Sequence, residues 1–282
     1  MPAGDEDSGL LEPALRAAGI EASWQVWSDP GVAWREFDLV VVRSAWDYTL
    51  DRGAFLAWAR GVPRLANPAD VLAWNTDKTY LREIAASGIP VVPTEWIDPG
   101  DSVRLPGGQF VVKPSIGAGS NGAGRFDARA AEELDAARAH AVTLHDAGRT
   151  VMVQPYVADV DTAGETSLVY FDAAFSHAIR KGAMLPASTA YELNSGPSTA
   201  LFVPERITRR EPDPDELRLG DRVLAVLRNR FGADLLYTRV DVLPGADGPV
   251  VIELELTEPS FFLGHDPAAP ARFASALATR LG

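Results

Sequence analysis

The sequence predicts an α/β protein built from more than one subdomain. Three observations carry that reading. The run FDLVVVRS (37–44) is almost continuously apolar, as in a parallel strand buried on both faces. Strand-like and helix-like segments alternate along most of the chain. With 282 residues, the chain is long enough for two or three packed units.

The elements follow in order. Ser8 to Ala18 reads as a helix, with DEDS supplying acidic and capping residues before it and Gly19 ending it. WQVW (24–27) and residues 37–44 read as strands, 52–60 as a helix, and RLANP (64–68) as a short strand stopped by Pro68. Such a unit usually opens with an apolar strand feeding the first helix. Here the chain starts in the loop before that helix, so the native start is expected upstream of Met1. Asp77 to Ser87 is a helix closed by Gly88, and IPVVPTEWI (89–97) returns as a strand. QFVVKPS (109–115) is a strand running into the loop IGAGSNGAG, followed by an Ala-rich helix over Ala128 to Ala147. TVMVQPYV (150–157) is a strand, and 165–181 has the shape of a hairpin turning near Asp172-Ala173. Residues 182–203 are polar and rich in Gly, Pro, Ser and Thr, as expected of a loop over a site. A helix over Asp213 to Phe231, strands over 235–243 and 249–257, and a helix over about 268–281 complete the chain.

Composition removes several function classes. A formal net charge of −13 argues against non-specific nucleic-acid binding. No apolar run reaches the roughly 18 residues that a membrane span needs, and MPAGDEDSGLL lacks the basic and apolar regions of a signal peptide. Cysteine is absent, which excludes disulfides, thiolate metal sites and Cys nucleophiles and fits a cytoplasmic location. Of 26 basic residues only three are lysines: Lys78, Lys113 and Lys181. GC-rich codon usage accounts for the arginine excess but not for where the lysines sit. Lysine is a compact point charge suited to a phosphate, whereas arginine is a planar fork.

Two motifs carry chemistry. In VVKPSIGAGSNGAG (111–124) a strand delivers Lys113 and four glycines follow, letting backbone N–H groups approach phosphate oxygens. It is neither a Walker A loop nor a Rossmann fingerprint, and a plain surface loop is the competing reading. In the second, Asp241 lies on one strand, and Glu253 and Glu255 lie two apart on the next, on one face. Three converging carboxylates repel one another unless a hard cation such as Mg²⁺ neutralises them. A solvated strand face is the alternative, opposed by the apolar neighbours Val251, Ile252, Leu254 and Leu256.

Taken in order, NTDKTYL (75–81), VVKP (111–114), VQPYV (153–157), GE (164–165), RK (180–181), RVD (239–241) and IELELTEPS (252–260) resemble the glutathione-synthetase-like branch of the ATP-grasp superfamily. RSAWDY (43–48), ANP (66–68), FSHAIRK (175–181) and ELTEPSFFL (255–263) look like the actinobacterial group that includes O-ureido-D-serine cyclo-ligase. The resemblance implies a nucleotide held between two α/β subdomains. The implied division is a substrate domain over 1–75, a small lid over 76–157 and a metal-bearing subdomain over 158–282. It implies ATP and Mg²⁺ as cofactors, with two ions and Mn²⁺ able to substitute, and an amino-acid-like small molecule as substrate. Homodimerisation is a family-level expectation.

By the same resemblance, Lys78, Lys113, Ser115, Gly117, Gly119 and Ser120 face the phosphates. Gln154, Tyr156 and Val157 hold adenine, and Glu165 holds the ribose. Arg180 or Lys181 contacts the γ-phosphate and the acyl phosphate, and Asp241, Glu253 and Glu255 ligate magnesium. Glu255 stands where the family often has Asn, implying a more anionic pocket. The implied reaction is attack of a carboxylate on ATP, then of an amine on the acyl phosphate. A small-molecule kinase or a non-catalytic ATP-binding protein on the same scaffold is the alternative. Arg43 could pair with a substrate carboxylate or, structurally, with Asp47. Glu258 and Ser260 could touch the substrate amine or fix the turn at Pro259. His177 is open to a catalytic or a structural role.

Overall fold

The computed structural model describes residues 4–183, 185, 187, 189–190 and 206–282. The expected loop over 182–203 falls largely outside them. Helix α1 (Ser8–Ala17) leads to β1 (Val40–Val41), α2 (Arg52–Gly61) and β2 (Leu65–Ala66), with β1 and β2 paired in parallel. Helices α3 (Ala69–Asn75) and α4 (Tyr80–Ala86) follow. Next come β3 (Glu95–Ile97), β4 (Gln109–Pro114), β5 (Gly124–Asp127), α5 (Ala131–Asp146) and β6 (Val151–Pro155). The short α6 (Val160–Ala163) precedes β7 (Glu165–Phe171), β8 (Ala174–Lys181), β9 (Thr189–Ala190) and β10 (Ile207–Arg210). Helix α7 (Pro214–Phe231), β11 (Tyr237–Gly245), β12 (Gly248–Glu255) and α8 (Ala269–Leu281) end the chain.

Two antiparallel sheets frame the site. One has strand order β3-β6-β4-β5-β9 and the other β10-β8-β7-β11-β12. The first packs on α5 through Phe110, Val112, Ala137, Ala141 and Leu144. The second packs on α7 through Leu168, Tyr170, Val240, Leu254, Leu219 and Val223. Helix α7 starts as its sequence suggests, with Asp213 and Glu216 forming a reciprocal capping box and Gly232 closing it at φ 74°.

Three expectations change. WQVW (24–27) forms no strand; its indoles anchor it instead, Trp24 Nε1 donating to Glu12 and Trp27 Nε1 to Asp47. The strand expected over 37–44 is ladder-paired only at Val40–Val41, opposite Leu65–Ala66, where the partner strand ends at the left-handed Asn67 (φ 55°) before Pro68. Pro90 and Pro93 interrupt the strand expected over 89–97, leaving β3 and one bridge from Val91 to Val251. The hairpin meets its expectation: Asp172 and Ala173 take φ 50° and 61° between β7 and β8.

Among the described residues, the outer edge of β12 meets no further strand beyond that bridge, and side chains occupy it. Asn75 receives the Leu256 N–H (2.8 Å) and donates to Leu254 O (2.7 Å). Tyr80 Oη receives the Leu254 N–H (2.7 Å), and Asn67 Nδ2 donates to Leu256 O (2.8 Å).

Candidate active site

A cavity of about 780 Å³ is lined by both sheets, the glycine loop and residues of the N-terminal unit. Strand alternation decides what faces it. On β7, β8, β11 and β12, the side chains of Leu168, Ala178, Val240 and Leu254 turn to the α7 core. The opposite face carries Glu165, Lys181, Arg239, Asp241, Glu253 and Glu255 into the cavity. Asp241 lies across from Glu253, Arg239 across from Glu255, and Glu165 across from Lys181.

That face is a dense charge lattice. Lys181 Nζ donates to Glu165 Oε1 (2.6 Å) and Asp241 Oδ2 (2.9 Å). Arg239 donates through Nε to Asp241 Oδ1 (2.9 Å), through Nη2 to Asp241 Oδ2 (2.8 Å), and also to Glu255. Burial alone would raise the Asp241 carboxyl, but Arg239 and Lys181 outweigh it and hold it below the ordinary range. Burial pushes Glu165 and Glu255 each up to about 7 against the pull of their cations. Arg239 is a site residue that the sequence reading left without a role. The signal was present, since it stands two residues before Asp241 on one strand and must share its face.

Of the two basic residues expected at the phosphates, Lys181 lines the cavity and Arg180 does not. Arg180 turns the other way and donates through Nη2 to Thr162 O (2.6 Å) and through Nε to Ala163 O. The β7–β8 ladder shifts register between Val169 and Tyr170, which sets Lys181 rather than Arg180 opposite Glu165.

The other lysines meet the same cavity. Lys78 Nζ donates to Gly117 O (2.7 Å) and pairs with Glu253 (2.9 Å). The Lys113 ammonium has no hydrogen-bond or ion-pair partner among the described residues, and burial lowers its pKa to about 8. Gly117, Gly119 and Ser120 line the cavity, the last two at φ 60° and 63°. Ser115 does not line it; its N–H donates to Thr150 O (2.9 Å) and its carbonyl receives the Lys78 N–H (2.8 Å). Gln154, Tyr156 and Val157 border an apolar lobe with Val92, Val111 and Ile252. Gln154 Nε2 donates to Thr94 Oγ1 (2.9 Å), and the Arg125 guanidinium stacks 3.4 Å over the Tyr156 ring.

At the opposite end, Arg43 is not exposed to the cavity. Its guanidinium pairs with Asp5 (2.7 Å) and Asp7 (3.1 Å) rather than Asp47, donates to Pro259 O, and lies 3.7 Å over Phe261. Asp7 also receives the Phe261 and Leu263 N–H groups, so this cluster ties the N-terminal loop to residues 259–263 instead of capping α1. Glu258 and Ser260 line the cavity beside Tyr48. His177 is structural: Nε2 meets Phe261 O (2.8 Å) and Nδ1 meets Ser176 Oγ (2.9 Å).

Asp241, Glu253 and Glu255 offer hard oxygen donors suited to Mg²⁺. Among the described residues no three acidic or His side chains are gathered closely enough to hold a metal. Lys78, Arg239 and Lys181 stand between them, neutralising the charge that a metal would otherwise offset. No helix among the described residues is long and apolar enough to cross a membrane.

Residues 1–67 match the family model of the N-terminal domain of D-cycloserine synthetase DcsG. The chain is 38% identical to the cycloserine biosynthesis protein DcsG of Streptomyces lavendulae over 295 residues, covering 98% of this chain and 94% of that protein. The crystal structure of D-cycloserine synthetase DcsG superposes with a TM-score of 0.85 at 38% identity, covering 98% of this chain and 95% of that one. A RimK-domain ATP-grasp protein from Sphaerobacter thermophilus gives a TM-score of 0.61 at 18% identity, covering 99% and 97% of the two chains, which shows a shared fold.

Proposed function

The chain belongs to the D-cycloserine synthetase DcsG family of ATP-grasp ligases, and on that premise we propose that it joins a carboxylate to a nitrogen through an acyl phosphate, releasing ADP and phosphate. O-ureido-D-serine, whose oxyamine nitrogen would close on its carboxyl to D-cycloserine while the carbamoyl group leaves by hydrolysis as carbon dioxide and ammonia, is the first substrate to test. The observation that carries the reading is the convergence of Lys78, Lys113 and Lys181, the chain's three lysines, on one cavity with Asp241, Glu253 and Glu255.

In this reading residues 1–75 bind substrate, 76–157 form the lid and 158–282 carry the metal. Adenine occupies the lobe at Gln154, Tyr156 and Val157, with its ribose toward Glu165. Lys78, Lys113 and the amides of Gly117, Gly119 and Ser120 cradle the phosphates. Lys181 meets the transferred phosphoryl group, stabilising charge that grows as the substrate carboxylate attacks. Asp241, Glu253 and Glu255 would hold Mg²⁺ only with the nucleotide phosphates completing a donor set that they do not form by themselves, and the metal would supply further neutralisation of those phosphates; two ions, or Mn²⁺ in their place, complete the proposal. Lys78 and Lys181, fixed by burial and pairing, need little reorganisation to act. A cytoplasmic reaction fits the need for ATP, and the assembly is taken to be a homodimer, which sedimentation velocity reads directly.

The test is ADP release from ATP with O-ureido-D-serine and with D- and L-amino acids, followed by product mass. ADP released only with a carboxylate, together with a dehydrated or cyclised product, is expected. AMP formation refutes the acyl-phosphate route, and a stable phosphorylated product assigns a kinase instead.

A further inference from the structure

Glu258 is a buried acidic residue at the substrate end of the cavity with no partner for its carboxyl among the described residues. It is only 8% exposed and lines the cavity. No hydrogen bond or ion pair reaches its carboxyl among the described residues. The cations that attract it are already engaged, Lys78 by Glu253 and Gly117 O, and Arg239 by Asp241, Glu255 and Ser260 O. Burial and the charges of Glu255 and Glu253 all disfavour its ionised form. A buried carboxyl without a partner is costly to keep unless a ligand completes it. Beside it stands Tyr48, 4% exposed and lining the same cavity, whose hydroxyl also has no partner among the described residues.

We propose that Glu258 is the specificity-determining anchor for a cationic ammonium on the carboxylate substrate, with the Tyr48 hydroxyl as a second acceptor. The reading rests on the ligase assignment above. The ammonium held here is a bystander, not the nitrogen that attacks. An attacking nitrogen must present a free lone pair, and a buried carboxylate would stabilise its protonated form and suppress attack. A substrate with two nitrogens, one retained as an ammonium and one consumed in the new bond, therefore fits this end of the cavity. The arrangement discriminates by leaving Glu258 unpaired whenever a substrate lacking the ammonium enters.

The test compares O-ureido-D-serine with its counterpart lacking the α-amino group in wild type, Glu258→Gln and Glu258→Asp. Wild type is expected to prefer the amine-bearing compound by ~100-fold in kcat/KM, and Glu258→Gln to lower that preference below ~5-fold. Glu258→Asp should retain an intermediate preference, and the affinity for MgATP should change less than ~3-fold in both variants. Melting of Glu258→Gln should match or exceed wild type, since an unpaired buried acid has been removed. Unchanged discrimination in Glu258→Gln overturns the proposal, as does a collapse of MgATP binding, which would assign the carboxyl to the nucleotide and metal. If wild type turns over no carboxylate, the ligase reading fails separately. Calorimetric titration with D-serine and with 3-hydroxypropionate then reads the subsite alone: a preference for D-serine lost in Glu258→Gln supports it, and equal binding refutes it.

Discussion

Lys113 makes two opposite pH effects fall in one window. Among the cations proposed to face the phosphates, its ammonium is left unpaired among the described residues, and burial brings its pKa from 10.5 to about 8. In the unfolded chain the same group titrates near 10.4. Between these values the unfolded state binds a proton that the folded apo protein does not, so this residue adds stability as pH rises from about 8 to about 10. The full difference corresponds to no more than about 3 kcal/mol, and the partial exposure of Lys113 to the cavity trims it. ATP affinity moves the other way. A nucleotide binds the protonated lysine, so kcat/KM for ATP, which reports the free enzyme, should fall about tenfold per pH unit above 8. Lys78 and Lys181 have their pKa values raised by their acidic partners and stay charged through this range. The assay is initial-rate ADP release from pH 6.5 to 9.5 at several ATP concentrations, with urea unfolding of the apo protein at the same pH values. Lys113→Arg keeps its charge and should flatten the upper limb in both measurements. An identical limb in Lys113→Arg would refute the assignment.

Other outcomes follow from the same geometry. Lys181→Met leaves Glu165 and Asp241 without their shared cation and should cost about 3–5 kcal/mol in urea unfolding and at least ~100-fold in kcat/KM for ATP. Arg180→Met, whose side chain turns away from the cavity, should keep kcat within ~3-fold. Glu253→Gln should raise the Mg²⁺ concentration needed for half-maximal ADP release by at least ~100-fold; full activity at low Mg²⁺ would remove Glu253 from the metal site. Asn75→Ala orphans the buried Leu256 N–H and one partner of Leu254 O, and should lower unfolding free energy by about 2–3 kcal/mol.

Much of the fold was legible because its signals are local. The Asp172-Ala173 turn, the helix over Asp213 to Phe231, and the alternation through Glu253 and Glu255 need only neighbouring residues. The three lysines were legible because composition isolated them. What failed depends on distant partners. A straight ladder from the hairpin turn would have set Arg180 opposite Glu165, and the single extra residue near Ser176 reverses that choice. Arg43 looked available for a ligand because its partners, Asp5, Asp7 and Pro259 O, lie up to 216 positions away. WQVW has strand propensity but spends its indoles on Glu12 and Asp47, and no periodicity reveals a side-chain anchor. Arg239 went unassigned although alternation alone places it beside Asp241.

The side chains along the outer edge of β12 also bear on how the protein behaves in crowded solution. A largely apolar strand such as PVVIELEL, with its ladder groups open on one side, is a template for pairing with a neighbouring molecule. Here Asn67, Asn75 and Tyr80 occupy those groups, so the strand that carries Glu253 and Glu255 has no row of vacant donors and acceptors to offer a stranger. Asn75 and Tyr80 belong to α3 and α4, the helices that lead from the N-terminal unit toward the lysine-bearing sheet. Solubility and the stiffness of the candidate site therefore share the same few hydrogen bonds: loosening them to make the site more plastic would also expose a sticky edge.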